Sequence, residues 1–308
     1  MEKEESEKQE KTIVPDKKKI KKRFGDRYDG RRVRHGDPTN IIIPFLMKER
    51  SDSQVFFDAE IDVSKIDKII QEKRKEGMEI GILDYILAAL VRTISQYPRI
   101  NRFIAGRRIF ARDDVRISMV VKKELSIHTE ETNVKFNFPR EATVGDINKN
   151  IRDVIAKNKG ESSSNNLDKF IGVLNTFPRW FYTIFINIIM WLDFHGKMPK
   201  FIHEISPFHT SVFITNMGSI GADPIYHHIY NFGTTSIFVA MGNRRKQRVI
   251  YRDGKIKERK VMKLRFVADE RIADGYYLSV ALKYFTGLFN RPEELENPPE
   301  QVNYDDQI

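Results

Sequence analysis

The side chains able to do chemistry fall mainly into two stretches of the C-terminal half. One is Asp269-Glu270-Arg271-Ile272-Ala273-Asp274-Gly275, where three carboxylates surround an arginine just ahead of an apolar helical pattern. The other is Phe213-Ile214-Thr215-Asn216-Met217-Gly218-Ser219-Ile220-Gly221, a short apolar run ending in a hydroxyl and two glycines. Carboxylates and imidazoles exchange protons, and hydroxyls donate hydrogen bonds, so these stretches and the nearby histidines hold the means for acid–base work. His227 and His228 are adjacent, and on a strand they would point to opposite faces, so at most one could serve a given site. Metal binding is not expected, because His227 and His228 have no suitably spaced third ligand. Each group also has a purely structural reading. Thr215 fits a strand chosen for packing, Asp274 a helix cap, and His209, His227 and His228 satisfied structural histidines.

The elements around these stretches follow from periodicity. Ser211 to Asn216 and Ser236 to Met241 read as strands, and Arg252-Asp253-Gly254-Lys255 signals a hairpin between Gln247–Tyr251 and Lys257–Met262. Lys263 to Ala268 leads as a strand into Asp269, and Leu278, Val280, Ala281, Leu282, Tyr284 and Phe285 follow as a helix. Upstream, Ile41 to Leu46 and Val55 to Asp62 read as extended. Ser64 heads a helix with Ile66, Ile69 and Ile70, and Asp84 heads a strongly buried one ending before Pro98. Phe103 to Phe110 turns as a hairpin at Gly106 and Arg107, Val115 to Val121 is a strand, and Ile127 to Phe138 alternates weakly. A helix runs from Thr143, and Gly160 to Asn166 is a serine-rich loop. Trp180 to Leu192 is uncharged and aromatic. Its 13 residues are too few to span a bilayer, so it is expected as a buried helix or an oligomer contact, with a membrane-surface helix as the alternative.

Composition sets the outer bounds. The 308 residues are 40% apolar, enough for a substantial core, and contain no cysteine, which excludes disulfides, thiolate catalysis and thiolate-bound zinc. The charged start carries no secretory signal pattern, which makes a cytoplasmic location the default. The net charge of +10 is uneven, with ten Lys or Arg against Asp26 and Asp29 between Lys17 and Arg34. This run reads as a solvated arm. Contact with an anionic surface is open to it, but no aromatic interleaving points to specific nucleic-acid binding. The expected organisation is a mobile basic arm over residues 1–38, one domain over 39–292 and a fraying polar tail over 293–308.

In order and spacing, three features resemble the catalytic domain of the 2-oxoacid dehydrogenase acyltransferases and, more distantly, chloramphenicol acetyltransferase. They are the helix leading into Pro98-Arg99-Ile100-Asn101-Arg102-Phe103, the stretch from Phe213 to Gly221, and the motif from Asp269 to Gly275. The resemblance covers about Ile41 to Pro292. It implies an α/β two-layer sandwich, a mixed sheet with helices on one face, and CoA or acyl-CoA as substrate. By position it makes Thr215 the oxyanion donor and Asp274 a structural carboxylate, with Arg271, Asn216, Gly218 and Gly275 in support. The family pattern places histidine where Glu270 stands, so Glu270 occupies the base position, and His227 or His228 is the alternative base. Glu is normally about two pKa units less basic than His and would need burial to serve. Three readings stay open: a CoA-dependent acyltransferase, a noncatalytic binding or scaffold protein, and a membrane-surface protein. The resemblance implies a homotrimer with active sites between subunits, and Thr215 and Glu270 in a shared cleft. No lipoyl domain is recognisable, and the insertion from about Gly160 to Pro207 is longer than the family's usual connection.

Overall fold

Strict alternation along the central strands gives the sheet two apolar faces of unequal size. In this computed structural model, which describes residues 22–122, 131–160, 172, 176–250 and 254–308, six strands form one mixed sheet in the order β2-β9-β8-β7-β5-β6. They are β2 (Gln54–Asp62), β5 (Val115–Lys122), β6 (Glu131–Phe138), β7 (Val212–Asn216), β8 (Ile237–Ile250) and β9 (Ile256–Asp269). β5, β7 and β8 are mutually parallel, and the outer pairings are antiparallel. Val212, Ile214, Val239, Leu264 and Phe266 point to the helical layer, and Phe213, Phe238 and Val267 to the opposite face. The helical layer comprises α2 (Ser64–Lys75), α3 (Ile82–Gln96), α4 (Val144–Gly160) and α7 (Gly275–Leu288). α3 is its centre. The Asp84 carboxylate accepts from the Gly81 N–H at 2.7 Å to start it, Pro98 ends it, and most of its side chains are buried. The expected two-layer sandwich is what forms.

Ile41 to Leu46 is helical, not extended. Asp37 accepts from the Thr39 N–H at 2.8 Å and Pro38 occupies the first turn of α1 (Pro38–Leu46), so a local cap overrides the β preference of consecutive isoleucines. β8 is a single 14-residue strand with an irregularity between Met241 and Arg244, where two shorter segments were expected. The hairpin at Gly106 and Arg107 forms between β3 (Arg102–Ala105) and β4 (Arg108–Arg112). Most of the expected loop from Gly160 to Asn166 lies outside the described residues.

Both expected domain boundaries need correction. Residues 22–38 are part of the fold, not of an arm: β1 (Gly30–Arg32) pairs with β4, and Arg27 and Asp29 are buried. The tail is also packed. Arg102 grips Asp305 with two hydrogen bonds of 2.6 and 2.7 Å, both residues are buried, and Leu295 is inside. Neither boundary was visible because the partners lie far away in sequence.

A buried polar layer gathers where the chain enters β7 and β8, around Arg112, which donates to the Thr210 and Thr234 carbonyls at 3.2 and 3.1 Å. α5 (Arg179–Phe194) supplies Asp193, and α6 (Lys200–Ile205) supplies His203. Arg27 bonds Asp29 at 2.9 Å and the Asp193 carbonyl at 3.0 Å; His203 Nε2 meets Asp29 at 3.0 Å and His209 Nε2 meets Asp193 at 3.3 Å. His209 Nδ1 also lies 2.8 Å from the Ser206 hydroxyl. Burial alone would raise the Asp29 carboxyl, but the His203 hydrogen bond and the charges of Arg27 and Arg112 hold it well below the usual carboxylate range. Burial pushes the His209 imidazole down to about 4 against the pull of Asp193. Apart from Asp193 and Ile189, most of α5 faces solvent, which overturns the buried-helix expectation for Trp180 to Leu192.

Two measurements check this account. Asp305→Ala should leave Arg102 buried and unpaired and lower stability by about 3–5 kcal/mol in urea unfolding, whereas loss of the exposed Asp306 should change it by less than about 1 kcal/mol. Between pH 6.5 and about 4 the unfolded chain protonates His209 and the folded chain does not, so stability should fall as pH drops through that window. His209→Asn should remove one proton from that dependence, about 1.4 kcal/mol per pH unit. A slope unchanged in the variant would show that His209 titrates freely.

Candidate active site

Asp269 ends β9 and turns the chain, and its carboxylate is fully committed. It receives Arg271 Nε at 2.8 Å and Nη2 at 2.7 Å, the Arg271 N–H at 3.1 Å and the Ser53 hydroxyl at 3.1 Å. Arg50 stands 4.0 Å away, its guanidinium pushed down to about 10 by burial. Arg271 also donates to the Met47 carbonyl at 2.9 Å. The arginine of the motif therefore locks the turn through Asp269, not through Asp274. Asp274 is exposed and caps α7 by accepting from the Tyr277 N–H at 2.9 Å. Gly275 follows in open space, where a side chain would meet nothing, so the position does not demand glycine for room.

Glu270 projects from this locked turn. Its backbone N–H donates to the Ser53 carbonyl at 2.9 Å, and its half-buried carboxylate joins no ion pair among the described residues. Arg271, its nearest cationic neighbour in sequence, is spent on Asp269. The motif thus separates two duties: Asp269 and Arg271 hold the backbone, and Glu270 is left available.

Thr215 stands at the end of β7 in a similar position. Its side chain is half-buried and has no hydrogen-bond partner among the described residues. Asn216 beside it accepts from the Ser219 N–H at 3.2 Å, capping a short 3₁₀ turn. Gly218 packs against the Gly242 carbonyl, where any Cβ would collide, and Gly221 closes the turn at φ +72°. The glycines hold the turn against β8 and fix the direction of Thr215.

One chain does not bring these two residues together. Thr215 is level with Ala240 on β8, and Ala240 is level with Arg265 on β9, five residues before Glu270. At about 3.4 Å per residue and two strand spacings sideways, the two side chains stand roughly 20 Å apart. The expected shared cleft of Thr215 and Glu270 is therefore not formed within one chain. Sequence spacing could not reveal this, because β9 runs opposite to β7 and ends at the opposite end of the strands.

The histidines divide as well. His227 stacks on Phe238 with ring centres 4.6 Å apart, and burial lowers its pKa. His228 is exposed beside Tyr230. Both lie in a loop and not on a strand, and among the described residues neither forms a hydrogen bond or ion pair with Glu270. The residues that sequence reasoning missed are Asp29, Asp193 and His203. No local pattern marks them as a group, since the Arg27–Asp193 and Asp29–His203 contacts that join them span more than 160 positions. Among the described residues no group of three metal-ligating side chains converges.

Residues 208–296, which contain both the Thr215 turn and the Glu270 motif, match the model of the 2-oxoacid dehydrogenases acyltransferase (catalytic domain). Similar folds occur in a probable dihydrolipoamide acetyltransferase from Listeria monocytogenes 4b F2365, at 15% identity and TM-score 0.52 over 83% of this chain and 94% of that one. The dihydrolipoamide acetyltransferase of Azotobacter vinelandii gives 12% identity and TM-score 0.51 over 83% and 88%. A truncated catalytic core of the 2-oxoacid dehydrogenase multienzyme complex from Thermoplasma acidophilum gives 14% and 0.51 over 84% and 97%. No curated protein matches the chain in sequence. With its six-stranded mixed sheet, its helical layer and the match over residues 208–296, this chain resembles the catalytic domain of the 2-oxoacid dehydrogenase acyltransferases and shares its fold.

Proposed function

We propose that the protein transfers an acyl group from acyl-CoA to a thiol or hydroxyl acceptor, at a site built between two copies of the chain. The observation that carries this reading is the division of labour around the motifs. Asp269, Arg271, Asn216 and Asp274 are all engaged in structural bonds, while the Glu270 carboxylate and the Thr215 hydroxyl are left without internal partners. In the Azotobacter enzyme a serine, a histidine and an asparagine act in the catalytic mechanism, the last two four positions apart. Glu270 and Asp274 have the same spacing, and Thr215 offers the hydroxyl.

The chemistry follows from these groups. The acceptor must lose a proton as it attacks the thioester carbonyl, and Glu270 takes that proton. The carbonyl oxygen becomes an oxyanion, to which Thr215 of a second copy donates a hydrogen bond. The tetrahedral centre then collapses, expelling the CoA thiolate, which recovers the proton. The roughly 20 Å within one chain requires this exchange between subunits, and a homotrimer supplies it. One observation favours a noncatalytic binding role instead: Glu270 is a carboxylate at the base position and would repel the developing oxyanion.

Free-thiol release from a panel of acyl-CoAs tests the proposal directly. Glu270→Gln should lower the rate by about 10²- to 10⁴-fold and Thr215→Ala by about 10²- to 10³-fold, with the melting temperature of each unchanged. Mixing the two inactive variants under conditions that exchange subunits should restore part of the activity, because some interfaces then pair an intact Glu270 with an intact Thr215. CoA binding with no thiol release across the panel would establish the noncatalytic reading. Unchanged turnover in Glu270→Gln would remove the carboxylate as base.

A further inference from the structure

Two helices leave apolar side chains in solvent, and they meet at one place. Along α5, Trp180, Ile184, Ile188 and Trp191 fall on one line at helical spacing, and all are exposed, Trp180 by 65% and Trp191 by 54%. Between Arg179 and Asp193 this helix carries no charge, and Asp193 faces inward to Arg27 and His209. On α1, Ile41, Ile42, Phe45 and Leu46 are exposed in the same way. The tip of the β3–β4 hairpin joins the two helices. A Cβ at Gly106 would sit 2.5 Å from the Phe194 carbonyl at the end of α5, and the next residue, Arg107, holds its guanidinium 5.7 Å from the centre of the Phe45 ring.

Beside Phe45 lies a hollow of about 230 Å³, walled by Arg32, Arg34, Arg107 and Arg108 and, on its apolar side, by Ile41 and Phe45. Arg34 is paired with Asp26 at 2.8 Å, but among the described residues no carboxylate is within ion-pair reach of Arg32, Arg107 or Arg108. Asp37, also in the wall, caps α1. The surface therefore combines two apolar helical faces with a cluster of uncompensated guanidinium groups between them.

We infer that this face docks on the surface of an anionic phospholipid bilayer, with α1 and α5 lying in the headgroup boundary and the arginine hollow receiving lipid phosphate. No described helix is long and apolar enough to cross a membrane, so the fit is to the surface. Indole rings favour that boundary, and guanidinium groups bind phosphate through paired N–H donors. Charge selects the partner. A bilayer bearing anionic headgroups complements Arg32, Arg107 and Arg108; a two-fold contact of this face would oppose those cations, and burial of this face in the proposed trimer would show as short-wavelength emission before vesicles are added. The inference is independent of acyl transfer and needs no turnover to test.

The two tryptophans of the chain both lie on α5, so intrinsic fluorescence reports on this face alone. With the full chain, phosphatidylcholine vesicles containing phosphatidylserine should shift the emission to shorter wavelength and carry the protein down on sedimentation, while pure phosphatidylcholine should do so weakly. Added salt should reverse part of the binding. Arg107→Gln with Arg108→Gln should weaken binding by about 25-fold, roughly fivefold for each cation removed from the surface. Ile184→Ser with Ile188→Ser should abolish the fluorescence shift, and circular dichroism checks that both variants fold. Three results would overturn the inference: no sedimentation with either vesicle; short-wavelength emission before vesicles are added, in a chain already associated through this face; or binding that survives both variants and disappears only when residues 1–21 are deleted.

Discussion

Charges buried where the chain enters β7 and β8 determine how much of the chain must fold together. Arg27, Asp29, Asp193, His203 and His209 are all inside, and ions removed from water are tolerated only when paired and hydrogen-bonded. The pairs that satisfy them come from opposite ends of the sequence: Arg27 reaches Asp193 across 166 positions and His203 reaches Asp29 across 174. The first described residues, α5, α6 and the segment before β7 are consequently one unit. A change that removes one partner strands the others in low dielectric, so the layer resists piecemeal loosening. The same requirement keeps His203 and His209 neutral and enclosed, unavailable as bases for anything outside.

The Asp269–Arg271 pair plays a comparable part at the motif. A bidentate, buried ion pair sets the turn after β9, and the Ser53 hydroxyl and carbonyl tie that turn to the start of β2. Glu270 gains a fixed direction without taking part in the bonds that fix it. At the other motif the contact of Gly218 with the Gly242 carbonyl does the same for Thr215. Preorganisation of this kind favours a group that meets a substrate, because no reorganisation is needed when charge develops. Antiparallel pairing of β9 with β8 then places the two groups at different ends of the sheet.

The outer surface follows a different logic from the core. α5 anchors itself through Ile189 and Asp193 and turns most of its uncharged sequence to solvent. α1 behaves likewise because its single buried residue is Pro44. Both approach a hairpin tip whose arginines meet no carboxylate within ion-pair reach among the described residues, so apolar area and positive charge lie close together.

Periodicity alone determined the sheet and the helical layer. The alternation in β7 and β9 and the apolar run of α3 ending at Pro98 formed as read, because each reflects short-range rules of backbone geometry; β8 and β9 pair antiparallel as the hairpin signal implied, while most of its Asp-Gly turn lies outside the described residues. The two motifs were also legible, since their residues are contiguous and their glycines and charges stand in fixed order. Local chemistry misled at Ile41 to Leu46, where Asp37 and Pro38 start a helix that β-branched composition conceals. Tertiary structure alone decided the rest. It recruited the charged segment before Pro38 and the polar tail into the core through Arg27, Asp29 and Asp305, and it turned α5 outward. It also separated Thr215 from Glu270 by strand direction. The reason is common to all of them: whether a charged or apolar side chain is buried depends on a partner tens to hundreds of positions away, and nothing in the spacing of residues names that partner.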